Sequence, residues 1–228
     1  MKRHTLTLAL LLSVSLTIFG QNHYEANIAG GGKGGVTLSR MNFNPSVPQS
    51  MIMGFEAGGQ FRYIEEKHFG LIAELNVEQR GWKESFDKGY DYSYSRRFTY
   101  VELPVLTHLY FGGEKLHFFI NAGPSVGYMI GKSTSSNFDY AHFESIEGFP
   151  STNRQTEQFN LKVKRHFDYG ISAGMGLEWF MNHKQSITLE GRFYYGLGDV
   201  FPNHKTDNFS SSNAMGLMFT LGYFYRIK

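Results

Sequence analysis

Apolar and polar side chains alternate with a period of two along most of this chain, and one of the two faces carries no charge. In Met53–Tyr63 the odd positions read Met53, Phe55, Ala57, Gly59, Phe61 and Tyr63, and the even positions Gly54, Glu56, Gly58, Gln60 and Arg62. Successive side chains of a strand point to opposite faces, so one face here is apolar or small and the other polar. Eight segments read as strands: Ile28–Arg40, Met53–Tyr63, Phe69–Arg80, Phe98–Phe111, Leu116–Ile130, His166–Phe180, Ile187–Gly198 and Ala214–Ile227. Each has roughly the ~9–11 residues that carry a tilted strand across a bilayer.

From the second segment to the eighth, no position on the apolar face is charged. A charge at the bilayer midplane costs about 2–4 kcal/mol, so this pattern is what a lipid-facing surface requires. The fold expected is therefore all-β: a transmembrane, antiparallel, up-and-down β-barrel of eight strands with a polar interior. In the first segment Gly30, Gly31, Gly32, Gly34 and Gly35 obscure the alternation. Pro104 and Pro124 fall inside strands of a closed sheet, where each lacks a ladder donor, and a bulge or local bend is expected at each.

The connections alternate in length. Three are short, Ile64–His68, Gly112–Lys115 and Met181–Lys184; four are longer, Met41–Ile52, Trp82–Arg97, Gly131–Arg165 and Asp199–Asn213. Outer-membrane barrels show this alternation of short periplasmic turns with long extracellular loops. An even strand count then puts both chain ends in the periplasm.

The N-terminus supports export. Lys2 and Arg3 precede an apolar run, Leu6–Phe19, followed by Gly20 and Gln21, which reads as a signal peptide over residues 1–20 with the barrel domain over residues 21–228. Removing residues 1–20 takes away Lys2 and Arg3 from 22 basic residues and none of the 20 acidic ones, leaving 20 against 20. A neutral mature chain gives no reason to expect nucleic acid as a partner. With no Cys there is no disulfide framework, cysteine metal site or lipoprotein anchor.

The candidate chemistry lies on the polar face. Glu56, Arg62, Glu74, Glu78, Arg80, Glu102, Glu178, Glu190, Arg192 and Arg226 project into one lumen. An eight-stranded barrel is only wide enough to be filled by its own side chains. Buried charges need partners, so these groups are expected to interlock as a plug; the competing reading is a narrow conduit for protons or small ions. His166 and Asp168 lie two apart on the inward face, a spacing that permits a His–carboxylate pair, but no matching nucleophile and oxyanion site accompany it, Ser125 and Ser172 lying nearer mid-barrel. The nine His are dispersed. A meeting of His166 and Asp168 with His142 or Glu144 lacks dense ligand spacing. No catalytic site, metal or cofactor is expected. Phe86, Tyr90, Tyr92, Tyr94, Phe138, Tyr140, Phe143 and Phe149 read either as exposed partner anchors or as an outer aromatic girdle.

Four local sequences carry a family resemblance: Gly34-Gly35-Val36-Thr37-Leu38-Ser39, Glu78-Gln79-Arg80-Gly81-Trp82, Tyr100-Val101-Glu102-Leu103-Pro104-Val105 and Asn121-Ala122-Gly123-Pro124-Ser125-Val126-Gly127-Tyr128. They resemble the Bacteroidetes outer-membrane β-barrel family called PorT-like or porin-like small barrels. The resemblance runs from about Gly34 to the C-terminus. It implies an eight-stranded barrel in the outer membrane of a Gram-negative bacterium, in a family one branch of which serves type IX protein secretion. The partners expected are outer-membrane lipid and an envelope or secretion-system protein, around a monomeric barrel. The function expected is a structural or interaction role in the envelope, with a narrow solute or ion channel as the alternative.

Overall fold

A computed structural model describes residues 26–151, 155–163, 165–201 and 209–228. The expected signal segment lies outside the described residues. Eight long antiparallel strands follow in chain order: β1 Asn27–Asn44, β2 Ile52–Glu66, β3 Phe69–Glu84, β4 Tyr94–Gly112, β5 Leu116–Ser136, β6 Phe167–Phe180, β7 Gln185–Asp199 and β8 Ser211–Arg226. Each pairs with its sequence neighbours, and β1 pairs with β8 from Ala29↔Arg226 to Asn44↔Ser211, which closes the ring. Closure gives backbone N–H and C=O groups ladder partners where no water is available to them. A two-residue strand, Gln49–Ser50, pairs with the end of β3 in the loop after β1.

The outward face matches the apolar parity of the sequence. Met53, Leu75, Ile171, Met175, Trp179, Leu189 and Leu221 are each more than half exposed, facing the space that lipid fills. The short connections, Lys67–His68, Gly113–Lys115 and Met181–Lys184, lie at the same end as both termini of the ring, and the long loops lie at the other.

Several strands run farther into the loop side than the alternation indicates. The reason is a swap of polarity at constant parity. Along β1 the outward series continues Val36, Leu38, Arg40, Asn42, Asn44, while the inward series continues Ser39, Met41, Phe43 with Met41 and Phe43 buried. In β4, Tyr94, Phe98 and Tyr100 are buried inside while Ser95, Arg97 and Thr99 lie on the outer face. Polar-out and apolar-in is the pattern of a water-facing sheet. The swap therefore marks where the barrel wall leaves the bilayer.

The prolines produce no bulge. The β3–β4 ladder runs Ala73↔Val105, then Asn76↔Glu102, and the β4–β5 ladder Pro104↔Ser125, then Thr107↔Ala122. Pairing lapses beside each ring, yet the register is unchanged on either side, because proline removes a donor without adding a residue to the strand. The Thr107 hydroxyl donates to the Ala122 carbonyl at 2.8 Å in the same seam. The β4–β5 bulge lies elsewhere: Thr99 pairs with Gly131 and Tyr100 with Met129, leaving Ile130 as the extra residue. It falls where the sequence alternation of β5 stops.

At Gly35, inward-facing on β1, a Cβ would collide with the Phe219 carbonyl oxygen of β8. Only glycine allows that approach at the closing seam.

Candidate functional site

The lumen is filled in layers. Nearest the short-turn end, Arg62 meets Glu178 at 2.7 Å, and its guanidinium lies over the Phe224 ring, 4.2 Å from the centroid. Ser186 donates to the second Glu178 oxygen at 2.5 Å. His108 Nδ1 lies 2.7 Å from Asn121 Oδ1, and Asn121 Nδ2 donates to Glu190 at 3.0 Å.

The middle layer is a continuous chain of charge. Arg192 donates to both oxygens of Glu74, at 2.8 and 2.7 Å, and to both of Glu190, at 3.1 and 2.9 Å. Lys33 Nζ then bridges Glu74 at 2.7 Å and Glu56 at 2.6 Å. Asn76 Nδ2 donates to the same two carboxylates, at 2.9 and 3.0 Å. Planar guanidinium groups suit this forked bonding, and a buried pair of this geometry regains in hydrogen bonds what it loses in hydration.

Above it, Arg80 is the hub. It donates to both oxygens of Glu78 at 2.8 and 2.9 Å, and reaches Glu102 at 2.7 Å and Asp168 at 3.1 Å. The Ser125 hydroxyl donates to Glu102, and the Tyr194 hydroxyl donates to Asp168 at 2.9 Å. The Arg80 guanidinium lies over the Tyr194 ring, 3.7 Å from its centroid.

The structure thus brings Glu56, Arg62, Glu74, Glu78, Arg80, Glu102, Glu178, Glu190 and Arg192 into one buried interior, whereas Arg226 is only half-buried, at the short-turn rim. Lys33 is a further member that the sequence reading missed. Its neighbours are glycines, but counting back from outward Val36 assigns odd positions of β1 to the lumen.

The His166–Asp168 pair does not form. His166 precedes β6 and is exposed, stacked beside Tyr128, while Asp168 is buried with Arg80 and Tyr194. The inward assignment of His166 is corrected: the strand begins one residue later, so parity does not extend to it. His142 instead holds Asp139 in the exposed third loop, Nδ1 to Oδ2 at 3.0 Å, and that hydrogen bond keeps the Asp139 carboxyl below its usual range.

The loop aromatics are neither an outer girdle nor, for the most part, exposed anchors. Phe143, Phe149 and Phe159 of the third loop turn down into the barrel mouth and pack with Phe43, Trp82, Tyr94 and Phe98. Trp82, wholly buried, meets Phe43 edge-on at 5.2 Å and Phe201 at 5.8 Å; Tyr94 meets Phe159 at 4.8 Å. Phe86, Tyr92, Phe138 and Tyr140 pack against this cluster, and Tyr90 remains exposed. The Tyr94 hydroxyl and Arg96 donate to the Phe159 and Leu161 carbonyls, at 3.2 and 2.7 Å, which ties the loop to the wall. The mouth is closed by an apolar core of its own.

The geometry describes a membrane barrel, and sequence comparison places it. A family model described as an outer membrane protein beta-barrel domain matches residues 19–202. This chain belongs to that family. Among solved structures, the outer membrane protein OprG from Pseudomonas aeruginosa aligns with a TM-score of 0.50 at 9% identity, covering 90% of this chain and 98% of that one. Neisserial surface protein A aligns with a TM-score of 0.49 at 10% identity, covering 90% of this chain and 100% of that one. The likeness to OprG, at so low an identity, is one of fold. No curated protein matches the chain. The outer membrane is thus the location of this barrel, and lipid its surroundings.

Proposed function

We propose that this outer-membrane barrel is a closed, non-enzymatic interaction protein of the cell envelope, acting through its rims rather than through its lumen. The observation that carries the reading is the double seal: the charge network from Arg62 to Arg80 fills the bilayer-spanning interior, and the Trp82 cluster closes the outer mouth. An eight-stranded ring is about as wide as its side chains can fill, so a solute path requires both seals to part. The four motifs resembling PorT-like barrels support an accessory role beside an envelope or secretion-system protein, with a monomeric barrel as the working unit.

The test is in-cell photocrosslinking from probes in the loop 85–93, the loop 137–166 and the turn 181–184, with mass-spectrometric identification of the adducts. A recurrent protein partner captured from one rim is expected. Adducts to lipid alone from every position would contradict the reading.

A further inference from the structure

Past Ile130 the sequence of β5 turns wholly polar, Gly131-Lys132-Ser133-Thr134-Ser135-Ser136, yet the strand runs on to Ser136. On one side it stays paired with β4 without a break, from Thr99↔Gly131 to Tyr94↔Ser136. On the other side its neighbour is missing. The β5–β6 ladder ends at Tyr128↔Phe167, where β6 begins, and one more backbone bond, Met129 N–H to the His166 carbonyl at 2.7 Å, closes it. Above that bond no backbone hydrogen bond joins residues 131–136 to any described residue outside β4. Lys132, Ser133, Thr134 and Ser135 are all exposed.

The direction of the unused groups follows from a single bond. Asn137 N–H donates to the Ser93 carbonyl, on the β4 side. Successive amides of a strand point to opposite edges, so the N–H groups of Lys132, Thr134 and Ser136 point away from β4. With about 3.3 Å per residue, this edge is a preformed template of roughly 20 Å.

Proteins blunt such edges with proline, charge or a covering segment. This edge has no proline, and its charge is of one sign. Lys132 stands on it, and Lys162 and Arg165, both exposed, lie in the segment that returns to β6. Neither 128–136 nor 160–166 contains an acidic residue. A second copy in the same membrane does not fit the edge. Both β5 strands would run outward with a tilt of about 35–45°, so the two like edges would cross at roughly 70–90° instead of aligning.

We propose that the β5 edge from Gly131 to Ser136 takes up an extended, acidic segment of another protein as an added strand. Its backbone bonds Lys132, Thr134 and Ser136, and its carboxylates lie beside Lys132, Lys162 and Arg165. Strand addition draws its affinity from main-chain bonds, and the flanking charges select the partner. The inference names the chemistry of a partner for the rim-based role proposed above and rests on that reading.

The test is solution NMR of the folded barrel in nanodiscs, titrated with a capped octapeptide that alternates Thr and Glu. Saturable binding is expected, with amide exchange slowed at Lys132, Thr134 and Ser136. The same peptide with Lys in place of Glu is expected to bind at least about tenfold more weakly, since like charges then meet along the edge. Thr134→Pro removes an outward donor and no bond to β4, a place where an edge strand tolerates proline. It is expected to weaken the acidic peptide at least about tenfold, whereas Thr134→Val, which keeps the N–H, should bind as the unsubstituted protein does. Heat-modifiable gel mobility reports that both variants fold, and the exchange pattern decides the question independently of either. No saturable binding, protection confined to other amides, equal binding of the basic peptide, or full binding by folded Thr134→Pro would each overturn the edge proposal. The rim reading itself fails on a different result, crosslinks to lipid alone.

Discussion

Arg80→Leu is expected to destabilise the barrel by about 3–5 kcal/mol, the usual cost of removing one partner from a buried ionic cluster. The reason is geometric. One guanidinium satisfies Glu78, Glu102 and Asp168 together, and without it three carboxylates stay buried in the wall layer beneath the aromatic mouth. Urea unfolding of the protein reconstituted in lipid vesicles measures the loss. Arg80→Lys should recover only part of it, because an ammonium cannot fork across Glu78 while also reaching two other acids. Adding Glu78→Gln and Glu102→Gln to Arg80→Leu should cost less than the sum of the separate changes, since the charges left stranded are themselves removed. Strict additivity would mean that the cluster is not a coupled unit.

Trp82→Ala is expected to cost about 3–5 kcal/mol, as for other buried large aromatics truncated in a packed core. Its effect should also be local. Trp82 joins Phe43 from β1 and Phe201 from the last loop, so its loss loosens the lid while leaving the spanning wall intact. Limited proteolysis should cut the loop 137–166 faster in Trp82→Ala, with the membrane-protected fragment unchanged. Tyr90→Ala, at an exposed ring, should stay within about 0.5 kcal/mol of the starting protein. Equal protease resistance of Trp82→Ala and the unsubstituted chain would show that the lid does not depend on the cluster.

The barrel was legible in the sequence because lipid imposes an exacting rule on one face. Parity alone placed Glu56, Arg62, Glu74 and their fellows inside, since any one-residue slip would have turned them to lipid. What parity does not carry is which inward group meets which. Arg192 bonds Glu74, distant by 118 positions in the chain, only through the stagger of the closed ring. The upper wall was hidden by its own chemistry. Beyond Leu38 and below Phe98 the polar and apolar faces exchange, so an alternation read for lipid ends where that for water begins. The same swap explains the loop aromatics: their rings belong to a soluble-type core over the barrel, a pattern with no fixed period in a loop. Lys33 is hidden among glycines, which carry no alternation, and His166 lies one residue before its strand begins.

Single-channel recording of the purified barrel in planar bilayers tests the central claim most directly. A lumen sealed by the Arg192 and Arg80 networks and lidded by Trp82 should give no reproducible conductance steps above the lipid baseline. Discrete, repeatable steps that change when Arg80, Glu102 or Arg192 is replaced would contradict it and establish a conducting path through the barrel.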